Sequence, residues 1–106
     1  MRDLNAVDCF AALGHPTRLS VFRALVQAGR DGVPVGTLSE TLEIPGSTLT
    51  HHLQALIRAG LAHQERQGRV LVTRADYDAM SNLINFLTDD CCKGMPASKA
   101  KRSVSS

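Results

Sequence analysis

Apolar residues recur three and four positions apart in five stretches of the chain, the spacing that gathers side chains on one face of a helix. Val7, Phe10, Ala11 and Leu13 predict a first helix over residues 5–13, closed by a left-handed Gly14. Pro16 predicts the start of a second helix with His15 at its cap, because proline's fixed φ and missing N–H suit a first helical turn. Leu19, Phe22, Leu25 and Val26 form its predicted buried stripe, and Gly29 stops it. Residues 30–34 read as a polar turn around Asp31-Gly32. Val35, Leu38 and Leu42 predict a short third helix, and residues 43–46 a tight break containing Pro45. Leu49, Leu53, Leu56 and Ile57 form the inward face of a fourth helix over residues 46–59, ended by Gly60. Residues 61–66 and 69–74 are two extended runs, with Gln67-Gly68 as a two-residue hairpin turn between them. Asp76 is placed to cap a last helix over residues 77–92, with Met80, Leu83, Ile84 and Leu87 on one face and Gly94 and Pro96 beyond its end. The predicted fold is mainly α with a small β-hairpin: a winged helix-turn-helix domain over residues 1–93, then a disordered basic tail over 94–106.

The 106 residues suit one domain, and a chain of this size buries only roughly 65% of its unfolded surface. A second subunit would enlarge the core. No apolar run approaches a membrane span, and the first residues lack the pattern of a signal peptide. The expected location is the cytoplasm. The net charge of +2 is unevenly spread. Residues 1–92 hold eight arginines against ten acids, while residues 44–75 hold Arg58, Arg66, Arg69 and Arg74 against Glu65 alone. A basic segment within an acidic body suits a polyanion docked on one face. No Ser/His/Asp order, glycine-rich phosphate loop or paired-carboxylate site stands out, so an enzyme is not expected and neither is an organic cofactor.

A short helix, a tight turn and a second amphipathic helix make a helix-turn-helix candidate. Ser47, Thr48, Thr50, His51, His52 and Gln54 are the candidate DNA-reading residues of the second helix, because compact hydrogen-bonding groups on a helix in the major groove reach base edges and phosphates. Arg66, Gln67 and Arg69 cluster at the hairpin tip, where basic side chains can reach flanking phosphates.

These residues carry a family resemblance. Ala12-Leu13-Gly14-His15-Pro16-Thr17-Arg18-Leu19 resembles the opening signature of the arsenical-resistance-repressor (ArsR) family of metal and metalloid sensors. Residues 47–53 resemble its recognition helix, and residues 59–61 with 66–69 resemble its helix end and wing. The resemblance spans about residues 5–92. It implies a homodimer joined through its first and last helices. It also implies a repressor that binds double-stranded operator DNA, an inverted repeat, and leaves it on binding an effector.

The effector is not fixed by the resemblance. Arsenic sensors of one type carry a Cys-Val-Cys site at the start of the third helix, where this chain has Val35-Gly36-Thr37-Leu38. Zinc sensors of another type carry His and acid ligands on the last helix, where this chain has Asp76, Asp78, Asp89 and Asp90 but no His. The three cysteines remain: Cys9, Cys91 and Cys92. An odd count without a secretory signal argues for reduced thiols. Soft thiolates select thiophilic ions. Trivalent arsenic or antimony accepts three sulfurs, whereas tetrahedral Zn²⁺ normally needs four ligands. Cys91 and Cys92, with Cys9 from the same or the partner subunit, are therefore the candidate ligands for As(III) or Sb(III), and a methylated arsenical would need only two of them. The segment 86–92 also resembles the last-helix ending of arsenite-responsive members. The alternative is a redox-sensing repressor, with Cys9 joining Cys91 or Cys92 on oxidation.

Overall fold

A computed structural model describes residues 3–95, with side chains from Asn5 onward. The predicted basic tail lies almost entirely outside the described residues. Five helices and three short strands follow in the order α1 (Asp3–Leu13), α2 (Pro16–Ala28), β1 (Val33–Pro34), α3 (Val35–Leu42), α4 (Gly46–Arg58), β2 (Ala62–Gln67), β3 (Val70–Ala75) and α5 (Tyr77–Thr88). The sheet is antiparallel with strand order β1-β3-β2.

The local chemistry accounts for most of these boundaries. His15 caps α2 as predicted, its Nδ1 accepting from the Thr17 N–H at 3.2 Å, with Pro16 in the first helical position. Gly14 ends α1 without entering the left-handed region. The break between α3 and α4 is held by Ser39, whose hydroxyl donates to the Ile44 carbonyl at 2.6 Å while the Ile44 N–H donates to the Ser39 carbonyl at 3.1 Å. Glu43 takes the left-handed conformation there, with φ 55°.

Four details differ from the sequence reading. The segment 30–34 contains β1, which adds a third strand by pairing Val33 with Thr73 and Pro34 with Val72. Gly32 before it has φ 78°, and a Cβ there would stand 2.7 Å from the Thr73 carbonyl oxygen, so no larger residue fits. The hairpin turn is Gly68-Arg69, one residue later than predicted, because Gln67 pairs with Val70. Gly68 has φ 66° while Arg69 does not have positive φ, the turn in which glycine takes the first central position. In α2, Val21 is buried with Phe22 and Leu25, and Leu19 of the predicted stripe is exposed. Finally, α5 ends at Thr88 and not at Cys92. Asp89 leaves the helix with ψ 133°, and Asp90 and Cys92 have positive φ. The two acids thus stand at and just past the C-cap, at the negative end of the helix dipole, where further carboxylates disfavour extending the helix.

The core is one cluster. Val21, Leu25, Leu49, Leu53, Leu56 and Leu61 are fully buried, each contributing about 2 kcal/mol by leaving water. It clamps α4 against α2 and the root of the hairpin. A row of apolar side chains is left outside it: Val7 and Phe10 on α1, and Ile84 and Leu87 on α5.

Candidate nucleic-acid interface

α4 divides sharply. Leu49, His52, Leu53, Ala55 and Leu56 face the core, and Ser47, Thr48, Thr50, His51 and Gln54 are exposed. Its N-cap is Pro45, which offers no side-chain acceptor to the first-turn N–H groups. Those donors, at the positive end of the helix dipole, are open to an anion. α3 and the 43–45 turn leave this polar face uncovered.

The hairpin supplies the second half. Gln64 donates to the Thr73 hydroxyl at 3.1 Å, and Arg74 pairs with Glu65 lower on the strands. At the tip Arg66, Gln67 and Arg69 are exposed, and among the described residues neither arginine has an ion-pair partner. One arginine is thus neutralised to stiffen the ribbon, and two free cations stand at its end. The arrangement can place a helix in a groove and a cationic tip on the adjacent backbone.

His52 belongs elsewhere. Its place in the candidate DNA set does not survive its burial: it is 6% exposed and turned inward. The signal was in the spacing, since 49, 52, 53 and 56 complete an i, i+3, i+4, i+7 row. Arg18 of α2 donates to its Nδ1 from Nε at 3.4 Å, and the His15 and His51 rings lie 4.9 and 5.5 Å away. Burial first, then Arg18, His15 and His51, hold its pKa below the ordinary imidazole value.

A family model described as a helix-turn-helix domain matches residues 13–65, half of the chain. The chain belongs to the helix-turn-helix family. An uncharacterized HTH-type transcriptional regulator of Bacillus subtilis is 28% identical over 96 residues, covering 79% of this chain and 96% of the relative. Among solved structures, an ArsR-like transcriptional regulator from Rhodococcus sp. RHA1 superposes with a TM-score of 0.73 at 22% identity, covering 96% of each chain. The homodimeric winged helix-turn-helix DNA-binding domain of a possible ArsR-family regulator from Mycobacterium bovis does so with a TM-score of 0.66 at 22% identity, over 83% of this chain and 82% of that one. The fold is therefore the winged helix of ArsR-like regulators. Among the described residues no helix is long and apolar enough to cross a membrane.

The thiols of this helix-turn-helix protein fall into two environments. Cys9 is 2% exposed, and its Sγ donates to the Ala59 carbonyl at 3.5 Å. Burial, and then the Asp8 carboxylate, push its pKa up, which disfavours the thiolate. Cys91 and Cys92 are exposed, and their sulfurs lie 3.3 Å apart. Among the described residues of one chain no group of three or more His, Cys, Asp or Glu is placed to hold a metal ion. The three thiols do not converge within a single subunit.

Proposed function

We propose that this protein is a cytoplasmic transcriptional repressor that binds an inverted-repeat operator as a homodimer and is released by trivalent arsenic held at Cys91 and Cys92. The DNA-binding half rests on one observation, a helix α4 with an uncovered polar face followed by a hairpin whose tip arginines are exposed and, among the described residues, unpaired. The effector half rests on the exposed sulfur pair 3.3 Å apart. Each thiol exchanges for a hydroxide on arsenic: an As–S bond forms, an As–O bond breaks, and the thiol proton leaves with the hydroxide as water. Two such exchanges satisfy methylarsenite. Inorganic arsenite has a third position, and Cys9 fills it only if α1 gives up its packing against Ala59 or a partner subunit brings another thiol close.

Chelation releases DNA only if the arsenic-bound form has lower operator affinity, since equal affinity for both forms shifts nothing. Cys91 and Cys92 lie just beyond α5, whose exposed Ile84 and Leu87 form part of the predicted dimer surface. Pulling the 89–92 turn into a chelate ring changes how α5 meets its partner, and with it the separation of the two recognition helices. An oxidative switch joining Cys9 to Cys91 or Cys92 has less support, because a buried thiol with a raised pKa is a poor partner in thiol–disulfide exchange.

The test is release of a duplex selected from a random-sequence pool by the wild-type chain. Methylarsenite and arsenite are expected to free it, and Zn²⁺ and peroxide to leave it bound. Cys91→Ser and Cys92→Ser should each bind the duplex normally and ignore both arsenicals. Release of Cys91→Ser at the wild-type arsenite concentration would place the site elsewhere, and release by peroxide alone would favour the redox reading.

A further inference from the structure

We propose that Arg18 and His52 form a positioning pair that sets the recognition helix for DNA, and that this pair makes operator binding fall away in mildly acidic solution. The inference rests on the DNA-binding reading of α4 and is independent of the effector.

Arg18 stands in the first turn of α2 and joins three helices. Its Nη1 donates to the Ala12 carbonyl near the end of α1 at 3.4 Å, and its Nε donates to His52 Nδ1 in the middle of α4 at 3.4 Å. His52 is the one polar member of the inward row formed with Leu49, Leu53 and Leu56. Leucines hold α4 against the core without direction. The guanidinium–imidazole bond is directional, and it lies one residue from exposed His51 and two from exposed Thr50 and Gln54. It therefore fixes the rotation of the face that meets the groove.

The bond has a chemical condition. Nδ1 accepts only while the ring is neutral, with its proton on Nε2. An imidazolium would present an N–H to the guanidinium N–H and add a positive charge beside it. The other groups facing His52 do not help. His15 at the α2 cap and His51 on α4 lie within 5.5 Å and are themselves bases. α1 offers the Ala12 carbonyl, already used by Arg18. Asp8 of α1 and Arg58 of α4 line the groove beside Arg18, but neither makes an ion pair with it or with His52.

The sign of the pH effect follows. The paired state binds a proton at His52 less readily than the unpaired state, consistent with a pKa held below its ordinary value. The pair is thus fully formed above the ordinary imidazole pKa of about 6.5 and is lost as pH falls through the depressed value. Operator affinity follows the pair.

The experiment measures affinity for the selected duplex at constant ionic strength and at about pH 7.5 and 5.5, with circular dichroism of the same samples. Wild-type affinity is expected to fall severalfold between the two pH values while the circular dichroism stays unchanged. His52→Asn keeps an acceptor oxygen for Arg18 and cannot be protonated. It should bind within a few-fold of wild type at neutral pH and lose the acid dependence. His52→Ala should bind weakly at both pH values, and His51→Gln should retain the acid loss. A flat wild-type profile overturns the proposal, as does a His52→Asn profile as steep as wild type or an acid loss explained by global unfolding of both. If the wild-type chain retains no duplex at neutral pH, the DNA-binding reading itself fails.

Discussion

Asp76 stands where the wing becomes the last helix, and three bonds meet there. Its Oδ1 accepts from the Ala79 N–H at 2.8 Å, its Oδ2 lies 2.7 Å from His63 Nε2, and its own N–H donates to the Leu61 carbonyl at 2.8 Å. The Ala79 N–H holds its carboxyl below the usual carboxylate range; desolvation opposes this and His63 adds to it. A depressed folded pKa means stability that is present above the ordinary value of about 3.9 and lost as pH falls through the folded one. Asp76→Ala should cost about 1 kcal/mol at neutral pH, the usual loss of a helix cap, and less at about pH 3. Urea melts at the two pH values check this; an equal loss at both would remove the ionised carboxylate from the account. The cap was legible in the sequence because Asp before an apolar helical run has few other uses. The inward turn of His52 was not read, although its spacing carried it, because histidine among polar neighbours also fits a DNA-facing surface. The partner that decides between the two, Arg18, lies 34 residues away in the chain.

At the scale of elements, the proposed recognition of DNA is divided between α4 and the hairpin, and substitutions should separate them. Thr50→Ala or His51→Ala removes groups placed for base edges and should cost about 1–3 kcal/mol on the selected duplex, with little change on random DNA. Arg69→Ala removes an exposed cation proposed to meet a phosphate and should weaken all duplexes alike, lowering the salt slope by about one per subunit. Binding isotherms across a salt series distinguish the two patterns; an unchanged slope for Arg69→Ala would take the wing off the DNA backbone. Long periodic helices such as α2 and α4 were readable because their apolar rows repeat over three turns. The two-residue β1 was not, because its identity comes from pairing with Thr73 and Val72 and not from any local pattern. The early end of α5 was also missed: the apolar row stops at Leu87, and glycine and proline further on drew the predicted boundary past two acids that already disfavour a helix C-terminus.

At the scale of the whole molecule, the single chain leaves apolar helix surface exposed to water. Val7, Ile84 and Leu87 are 61%, 54% and 62% exposed, and with Phe10 they form apolar surface on the first and last helices. A second copy that covers this surface removes it from water and sets two recognition helices side by side, the arrangement a symmetric operator needs. The proposed dimer would also give the thiol pair beyond α5 a route to the DNA, since α5 is the helix it follows and carries exposed Ile84 and Leu87. The most direct test is sedimentation of the full-length chain, alone and on the selected duplex, at micromolar concentration. A dimer in the free protein, two chains on each duplex, and conversion to free dimer and free DNA on adding methylarsenite are the expected results. A monomer that binds DNA one chain at a time would contradict the proposed dimer.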